Sequence, residues 1–427
     1  MSGLQGEITP PGDKSISHRA IMLSSIARGK SRISNLLQGF DCQATIDAFS
    51  KMGISIHTSN DKTATIEGKG LRGLKKPDSG LYLANSGTTM RLLMGILAGQ
   101  DFEAMLTGDE SLSKRPMKRV TYPLRLMGAD IAGKDDANLA PITINGTVLK
   151  PIDYKSPVAS AQVKSSIIFA GLYADGITTI AEPFKSRDHT ERMLRLFGAN
   201  LKEEDLSVSV EGLGSSELKP QSISVPGDIS SAAFFIVLGI LAEDAQIKIN
   251  HCGVNSTRRG ILDALGRMGA KIELAERIES FEPIADIIVK RSPLRATKIT
   301  KDEIPLLIDE VPLIALCATQ AEGETIIEGI GELRVKETDR VSSVVTNLKA
   351  FGADIEAEGD SLIIKGPRKL KGAKVESFGD HRTAMMSVIA GAIAEGKTTV
   401  DDTGCIATSF PEFEHILASI TNTGDSL

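Results

Sequence analysis

Tryptophan is absent from this chain of 427 residues, and aromatic residues make up only 4% of it. The interior must therefore be filled by aliphatic side chains, with Ala and Gly letting helices approach closely. Cysteine is scarce too. Cys42, Cys252, Cys317 and Cys405 stand alone, with no CxxC pair and no His/Cys metal spacing. That argues against a disulfide framework or a zinc site and for free, buried thiols in a reducing compartment. No apolar run reaches the roughly 18 residues that a bilayer span needs. The opening MSGLQGEITP has neither the basic nor the apolar block of a secretory signal, so a cytoplasmic protein is expected. Positive charge is not in surplus: 49 Lys and Arg against 55 Asp and Glu leave a net charge of −6. A general nucleic-acid or membrane surface is therefore not expected. With 41% hydrophobic and 24% charged residues, the rest is ordinary globular composition, and the length calls for two or three domains.

What is present is a repeat. An apolar stretch runs into a short turn and then a β-rich run at Ala27-Arg28-Gly29, Ala98-Gly99, Asp175-Gly176, Glu243-Asp244, Glu322-Gly323 and Glu395-Gly396, about 67–79 residues apart. Between these marks lies a second one: MGISI at 52, MGADI at 127, FGANL at 197, MGAKI at 268 and FGADI at 351. Each follows a helical pattern, as in TERMLRLFGANL, where Met193, Leu194 and Phe197 share a face. A Gly just past the last apolar residue caps a helix, and the alternation beyond it predicts a strand. The sixth copy ends on the helical FPEFEHILASI without a sixth mark. Six α/β copies divide naturally into two groups of three.

The tripeptide Pro-Gly-Asp occurs in PGDKSISHRA at 11–20 and in PGDISSAAFF at 226–235. Pro and Gly suit a bend, and Asp followed by Ser suits a helix N-cap. These are the expected crossings between one domain of residues 1–12 plus 228–427 and another of residues 13–227. Only the first crossing carries a cation at its fourth position, Lys14, where the second has Ile229.

Several loop-to-helix junctions place Arg or Lys beside small polar residues, where free backbone N–H groups and the positive end of a helix suit phosphate or carboxylate. They are Lys14, Ser15 and Arg19; Asn85, Ser86, Gly87 and Thr88 with Arg91; Arg115 in SKRPMKR; Ser160 and Gln162 in SAQVKSS; Lys336, Glu337 and Arg340 in KETDR; and His381 and Arg382 in FGDHRTA. A cationic lining in an acidic protein predicts a small ligand with several anionic groups. Among these cations, Asp309, Glu310 and Glu337 are acid and base candidates, because a carboxylate beside cations stays ionised and can accept a proton. The alternative for Asp309 and Glu310 is capping of the helix that VPLIALCA predicts. GAIAEGKT at 391–398 matches a P-loop formally. However, a P-loop follows a strand and opens a helix, whereas here a helical run precedes and a strand-like run follows.

Taken in order, PGDKSISHRA, LANSGTTMRLL, TGDESLSKRP, SAQVKSS, RDHTERML, DEVPLIALCA, RVKETDR, GDHRTAM and ATSFPEF resemble the 5-enolpyruvylshikimate-3-phosphate (EPSP) synthase family over essentially the whole chain, and its class II branch in particular. The resemblance implies two α/β domains of three βαβαββ units each, joined by a two-strand hinge, with the active site in the cleft between them. It also implies transfer of the enolpyruvyl group of phosphoenolpyruvate to the 5-hydroxyl of shikimate 3-phosphate, with phosphate released. No metal or organic cofactor is implied, and a monomer is.

Carried over by motif, Lys14, Ser15 and Arg19 would contact shikimate 3-phosphate, together with Ser160, Ala161, Gln162, Ser186, Arg187, Asp309 and Lys336. Phosphoenolpyruvate would be bound by Lys14, Asn85, Gly87, Arg115, Gln162, Arg340, His381 and Arg382. Asp309 would take the 5-hydroxyl proton, Glu337 would handle protons at C3, and Lys14 would assist. Some members carry Lys where Thr408 stands here. Gly87 stands where glyphosate-tolerant members often have Ala, so the herbicide is expected to fit. The nearest rival is the related transferase acting on UDP-N-acetylglucosamine, which would lack PGDKS and KETDR and carry a loop Cys. No Cys lies between Cys42 and Cys252 here.

Overall fold

The computed structural model describes residues 4–421. The chain forms two compact units. One comprises the residues up to Pro11 and those from Pro226 onward, and the other comprises Gly12–Val225. Each unit is built from three copies of one motif.

In every copy a leading helix is followed by a strand, and a second helix follows that strand. The leading helices are Lys14–Ile26, Gly87–Ala98, Ala161–Gly171, Ile229–Leu241, Val311–Thr319 and His381–Ile393. They are apolar nearly all round, as ISSAAFFIVLGIL shows, and such a helix has to be buried. Every residue of Ile229–Leu241 is buried. Close approach demands a glycine within one of them: a Cβ on Gly95 would lie 2.1 Å from the carbonyl oxygen of Ser166, on the neighbouring leading helix. The following helices are Phe40–Lys51, Lys118–Leu126, His189–Leu196, Gly260–Arg267, Arg340–Ala350 and Phe413–Thr421. The first five run into Gly53, Gly128, Gly198, Gly269 and Gly352, whose φ angles of +85° to +97° form the left-handed caps that the MGA and FGA marks predict.

The sheets repeat as regularly. In each full copy a short strand pairs in parallel with the strand after the leading helix, and two antiparallel strands complete the sheet. Among the described residues, the sixth copy keeps only the parallel pair Lys374–Val375 with Thr399–Val400. Its missing strands coincide with the main aromatic cluster: Phe410 and Phe413 pack on Phe234 and Phe235, with ring centroids 5.6–6.0 Å apart.

The two Pro-Gly-Asp segments lie where strands are exchanged. The strand before the first, Gln5–Ile8, pairs in parallel with Gln246–Ile249 of the fourth copy. The strand before the second, Ser222–Ser224, pairs in parallel with Arg32–Ser34 of the first copy. Each Asp then caps its leading helix: Asp13 accepts from the Ile16 N–H at 2.9 Å, and Asp228 from the Ser230 N–H at 2.8 Å.

Two sequence features resolve here. In GAIAEGKT, the helix runs through Gly391 to Ile393, a strand forms at Thr399–Val400, and Lys397 is exposed, the reverse of a P-loop. Of the four thiols expected to be buried, Cys42, Cys252 and Cys317 are, but Cys405 is only half-buried in the 3-10 turn Gly404–Thr408. Among the described residues no helix is long and apolar enough to cross a membrane.

Candidate functional site

The candidate residues gather into one polar cluster in each unit. In the unit of Gly12–Val225, three leading helices start at Lys14, Gly87 and Ala161, capped by Asp13, Ser86 and Ser160. Lys14 reaches Asp41 Oδ2 at 3.0 Å. Arg19 is buried, and its guanidinium ties three helices together. Nε donates to Thr190 Oγ1 (2.6 Å), Nη1 to the Ser15 carbonyl (2.9 Å) and Nη2 to Ser165 Oγ (2.8 Å). Arg91 donates through Nη1 to Gln162 Oε1 (2.7 Å) and through Nη2 to the Pro116 carbonyl (3.2 Å). Gln162 Nε2 donates to Thr88 Oγ1 at 2.9 Å, which fixes the orientation of its amide. Arg115 is not at a helix start but in the turn after Glu110–Ser113. It donates to Asn85 Oδ1, and Asn85 Nδ2 donates to Asp109 Oδ2 at 2.7 Å. Gly87 sits between two guanidinium groups: a Cβ there would lie 3.2 Å from both Arg91 Nη1 and Arg115 Nη1. Ser160 and Ser186 are linked through one carboxylate, Glu182, which accepts from the Ser160 N–H at 2.9 Å and from Ser186 Oγ at 2.8 Å. Arg187, next in the chain to Ser186, is half-buried.

Behind this cluster runs a chain of hydroxyls. His18 Nδ1 meets Thr45 Oγ1 at 2.7 Å, Thr45 meets Thr89 Oγ1 at 2.7 Å, and Thr89 meets Ser86 Oγ at 2.7 Å. Burial, with Lys14 and Arg19 adding to it, holds the His18 ring well below its usual range, so it is neutral.

In the other unit, carboxylates surround the cations. Arg340 is buried. Its Nε donates to Asp380 Oδ2 (2.7 Å), Nη1 to Asp309 Oδ1 (3.3 Å) and Nη2 to Glu337 Oε2. Burial works against its charge, but Asp380, Glu337 and Asp309 outweigh burial and hold the guanidinium protonated. Asp309 also lies 3.6 Å from Arg382 Nη2. Its neighbour Glu310 is fully buried and does not cap the helix that follows. Instead it pairs with Arg258 at 3.1 Å and accepts from Ser230 Oγ, while Arg258 also reaches Asp228 Oδ1 at 3.3 Å. The second Pro-Gly-Asp segment thus contributes two residues to the packing beside Asp309. Asp380 caps the helix that begins with His381 and Arg382, accepting from the Arg382 N–H at 2.8 Å. His381 is buried, and Lys336 is half-buried next to Glu337 in the chain.

Sequence reasoning missed Asp41, Lys164, Glu182, Glu191, Thr190, Arg258 and Asp380. Asp41, Glu182 and Arg258 come from segments with no quoted motif, whereas Lys164, Thr190, Glu191 and Asp380 lie inside quoted segments but meet their partners through the fold. One signal was available: Lys164 interrupts an apolar helical run four residues after Ser160, and Lys is seldom fully buried unless paired.

The chemistry follows from the partners. Helix N-termini and guanidinium groups held by hydroxyls and amides suit phosphate and carboxylate. Two carboxylates that share Arg340 are placed to take up and pass on protons. Fold and clusters together define a six-copy α/β protein equipped for small anions and for proton transfer. The EPSP synthase (3-phosphoshikimate 1-carboxyvinyltransferase) family model matches residues 1–417, and the chain belongs to that family. It is 52% identical over 423 residues to a 3-phosphoshikimate 1-carboxyvinyltransferase of Geobacillus thermodenitrificans, covering 98% of this chain and 97% of that one. It is 50% identical over 416 residues to that of Bacillus subtilis, covering 97% and 96%. The solved structure of EPSP synthase from Acinetobacter baumannii superposes with a TM-score of 0.86 at 45% identity, covering 98% of this chain and 95% of that one. The enolpyruvyl transferase NikO from Streptomyces tendae shares the fold, with a TM-score of 0.81 at 18% identity and coverage of 98% and 95%.

Proposed function

We propose that the chain transfers the enolpyruvyl group of phosphoenolpyruvate to the 5-hydroxyl of shikimate 3-phosphate and releases phosphate. The observation that carries this reading is the shared Arg340: two partly exposed carboxylates, Asp309 and Glu337, converge on one buried guanidinium. The addition step needs two proton movements. The 5-hydroxyl must lose a proton as its oxygen attacks C2, and C3 must gain one. Elimination then returns a proton from C3 as phosphate leaves. Asp309, beside Arg340 and Arg382, accepts from the hydroxyl. Glu337 delivers and recovers the proton at C3.

The unit of Gly12–Val225 supplies most of the anion binding. Ser15, Arg19, Ser160, Ala161, Gln162, Ser186 and Arg187 serve shikimate 3-phosphate, joined by Lys336. Asn85, Gly87, Arg115 and Gln162, with Arg340, His381 and Arg382, serve phosphoenolpyruvate. Lys14 reaches both substrates. Fixed cations that need not reorganise stabilise the charge that develops on the reacting oxygens. The same reading makes the protein a cytoplasmic monomer acting on small molecules.

The test is phosphate release from phosphoenolpyruvate with shikimate 3-phosphate, with UDP-N-acetylglucosamine, or with ATP supplied alone. Release that requires shikimate 3-phosphate is expected. Release with the sugar nucleotide or from ATP, and not with shikimate 3-phosphate, would overturn the reading.

A further inference from the structure

Lys164 lies inside the leading helix Ala161–Gly171, and its ammonium is among the most deeply buried charges of the chain. It sits 2.9 Å from Glu182 Oε2 and 2.8 Å from Glu191 Oε1, and all three side chains are at most 2% exposed. It also donates to the Ser186 carbonyl at 3.4 Å. Burial opposes the Lys164 charge, but Glu191 and Glu182 outweigh it and hold the ammonium above its usual range. Burial likewise pushes Glu191 up, against the pull of Lys164.

Three buried charges are a poor device for stability alone, because desolvation cancels most of their attraction and apolar packing serves as well. The outward bonds of the cluster give it another use. Glu182 holds the Ser160 N–H with one oxygen (2.9 Å) and Ser186 Oγ with the other (2.8 Å). Ser160 caps the leading helix, accepting from the Val163 N–H at 3.4 Å, while Ser186 lies in the loop that precedes His189–Leu196. One carboxylate therefore sets the spacing between a helix start and a loop, and Lys164 pins that carboxylate from behind.

We propose that Glu182 is a positioning residue for shikimate 3-phosphate: it holds Ser160 and Ser186 at the separation the 3-phosphate requires. This rests on the assignment of Ser160 and Ser186 to that substrate above. Lys164 completes the device. When Ser186 turns its hydroxyl proton to an incoming phosphate, the ammonium at 2.9 Å keeps the Glu182 oxygen satisfied.

Two substitutions separate reach from charge. Glu182→Asp keeps the charge opposite Lys164 but withdraws the carboxylate by about 1.5 Å, so it can no longer span both partners. Glu182→Gln keeps the reach but loses the charge and turns one accepting oxygen into a donor, so it cannot accept from both Ser160 and Ser186. Glu182→Asp is expected to raise the KM for shikimate 3-phosphate about tenfold, the size of one lost charge-assisted hydrogen bond. It should leave kcat and the KM for phosphoenolpyruvate within about twofold. Glu182→Gln should raise the KM for shikimate 3-phosphate by a comparable factor, because one of the two partners loses its acceptor. A double-mutant cycle of Glu182→Asp with Ser186→Ala should give less than the product of the two KM effects. A wild-type KM in Glu182→Asp with an impaired Glu182→Gln would mean that charge alone matters and would overturn the proposal. So would a parallel change of both KM values and kcat that follows the melting temperature. If the wild-type protein itself fails to release phosphate with shikimate 3-phosphate, the functional reading fails instead.

Discussion

The two candidate clusters hold certain buried arginines by different partners. In Gly12–Val225, Arg19 and Arg91 are held by hydroxyls, a side-chain amide oxygen and backbone carbonyls. Such bonds orient a guanidinium without cancelling its charge. In the other unit, Arg340 and Arg258 are held by Asp380, Asp309, Glu337, Glu310 and Asp228. There the arginines hold carboxylates in place. On the proposed reading, copies of one motif have diverged toward two kinds of work, one toward gripping anions and the other toward moving protons. The divergence is visible in the two Pro-Gly-Asp segments, where Lys14 follows the first and Ile229 the second.

The largest expected effect tests the proton-moving unit. Asp309→Asn keeps an oxygen for Arg340 Nη1 but cannot accept the hydroxyl proton. It should lower kcat by about 10²–10⁴-fold, the range of general-base catalysis. Shikimate 3-phosphate binding, measured by calorimetry, should change little. A large loss of binding with kcat preserved would reverse the roles of the two units.

A smaller effect tests the gripping unit. Gly87→Ala places a methyl 3.2 Å from both the Arg91 and Arg115 guanidinium groups. These are ends of long side chains and can give by a few tenths of an ångström. The KM for phosphoenolpyruvate should rise by roughly three- to tenfold, about 1 kcal/mol, with kcat nearly unchanged. Glyphosate inhibition should weaken by more than phosphoenolpyruvate binding does. An unchanged KM would show that neither arginine touches that substrate.

The smallest effect concerns what a concentration of positive charge does to its own surroundings. His18 is neutral in the folded chain, through burial first and Lys14 and Arg19 second, whereas its ordinary pKa is 6.5. Below that pH the unfolded chain takes up a proton that the folded chain refuses. Stability present above pH 6.5 is therefore lost as the pH falls toward the depressed folded value. The slope from this one site is at most about 1.4 kcal/mol per pH unit. His18→Gln should flatten the fall in denaturation midpoint between pH 7 and 5 by that single proton. An identical pH profile in the variant would show that His18 is not the group responsible.

Much of the motif was legible because it rests on local rules. The five left-handed glycines, the capping Asp and Ser residues and the apolar leading helices each follow from a few adjacent residues. The candidate site was legible where function sits at a helix start, as at Lys14, Ser160 and His381. It was not legible where a partner arrives from another segment. Asp41 meets Lys14 from 27 positions away, and Thr190 meets Arg19 from 171 away. Glu182 and Glu191 look in sequence like solvated charges, yet both lie buried against Lys164. The repeat also gave no hint of which sheet would receive the strand preceding each Pro-Gly-Asp, because register is a matter of long-range pairing.

The exchanged strands have a consequence in time. Gln5–Ile8 leaves the ribosome well before its partner, which begins at Gln246. At about 5–20 residues per second, roughly 12–48 seconds separate the two. Gly12–Val225 is continuous in the chain and carries its own edge strand, Ser222–Ser224. It can close while the N-terminal strand still waits. During synthesis the unit Gly12–Val225 is finished first, and the other unit is completed only when Gln5–Ile8 meets the strand that begins at Gln246.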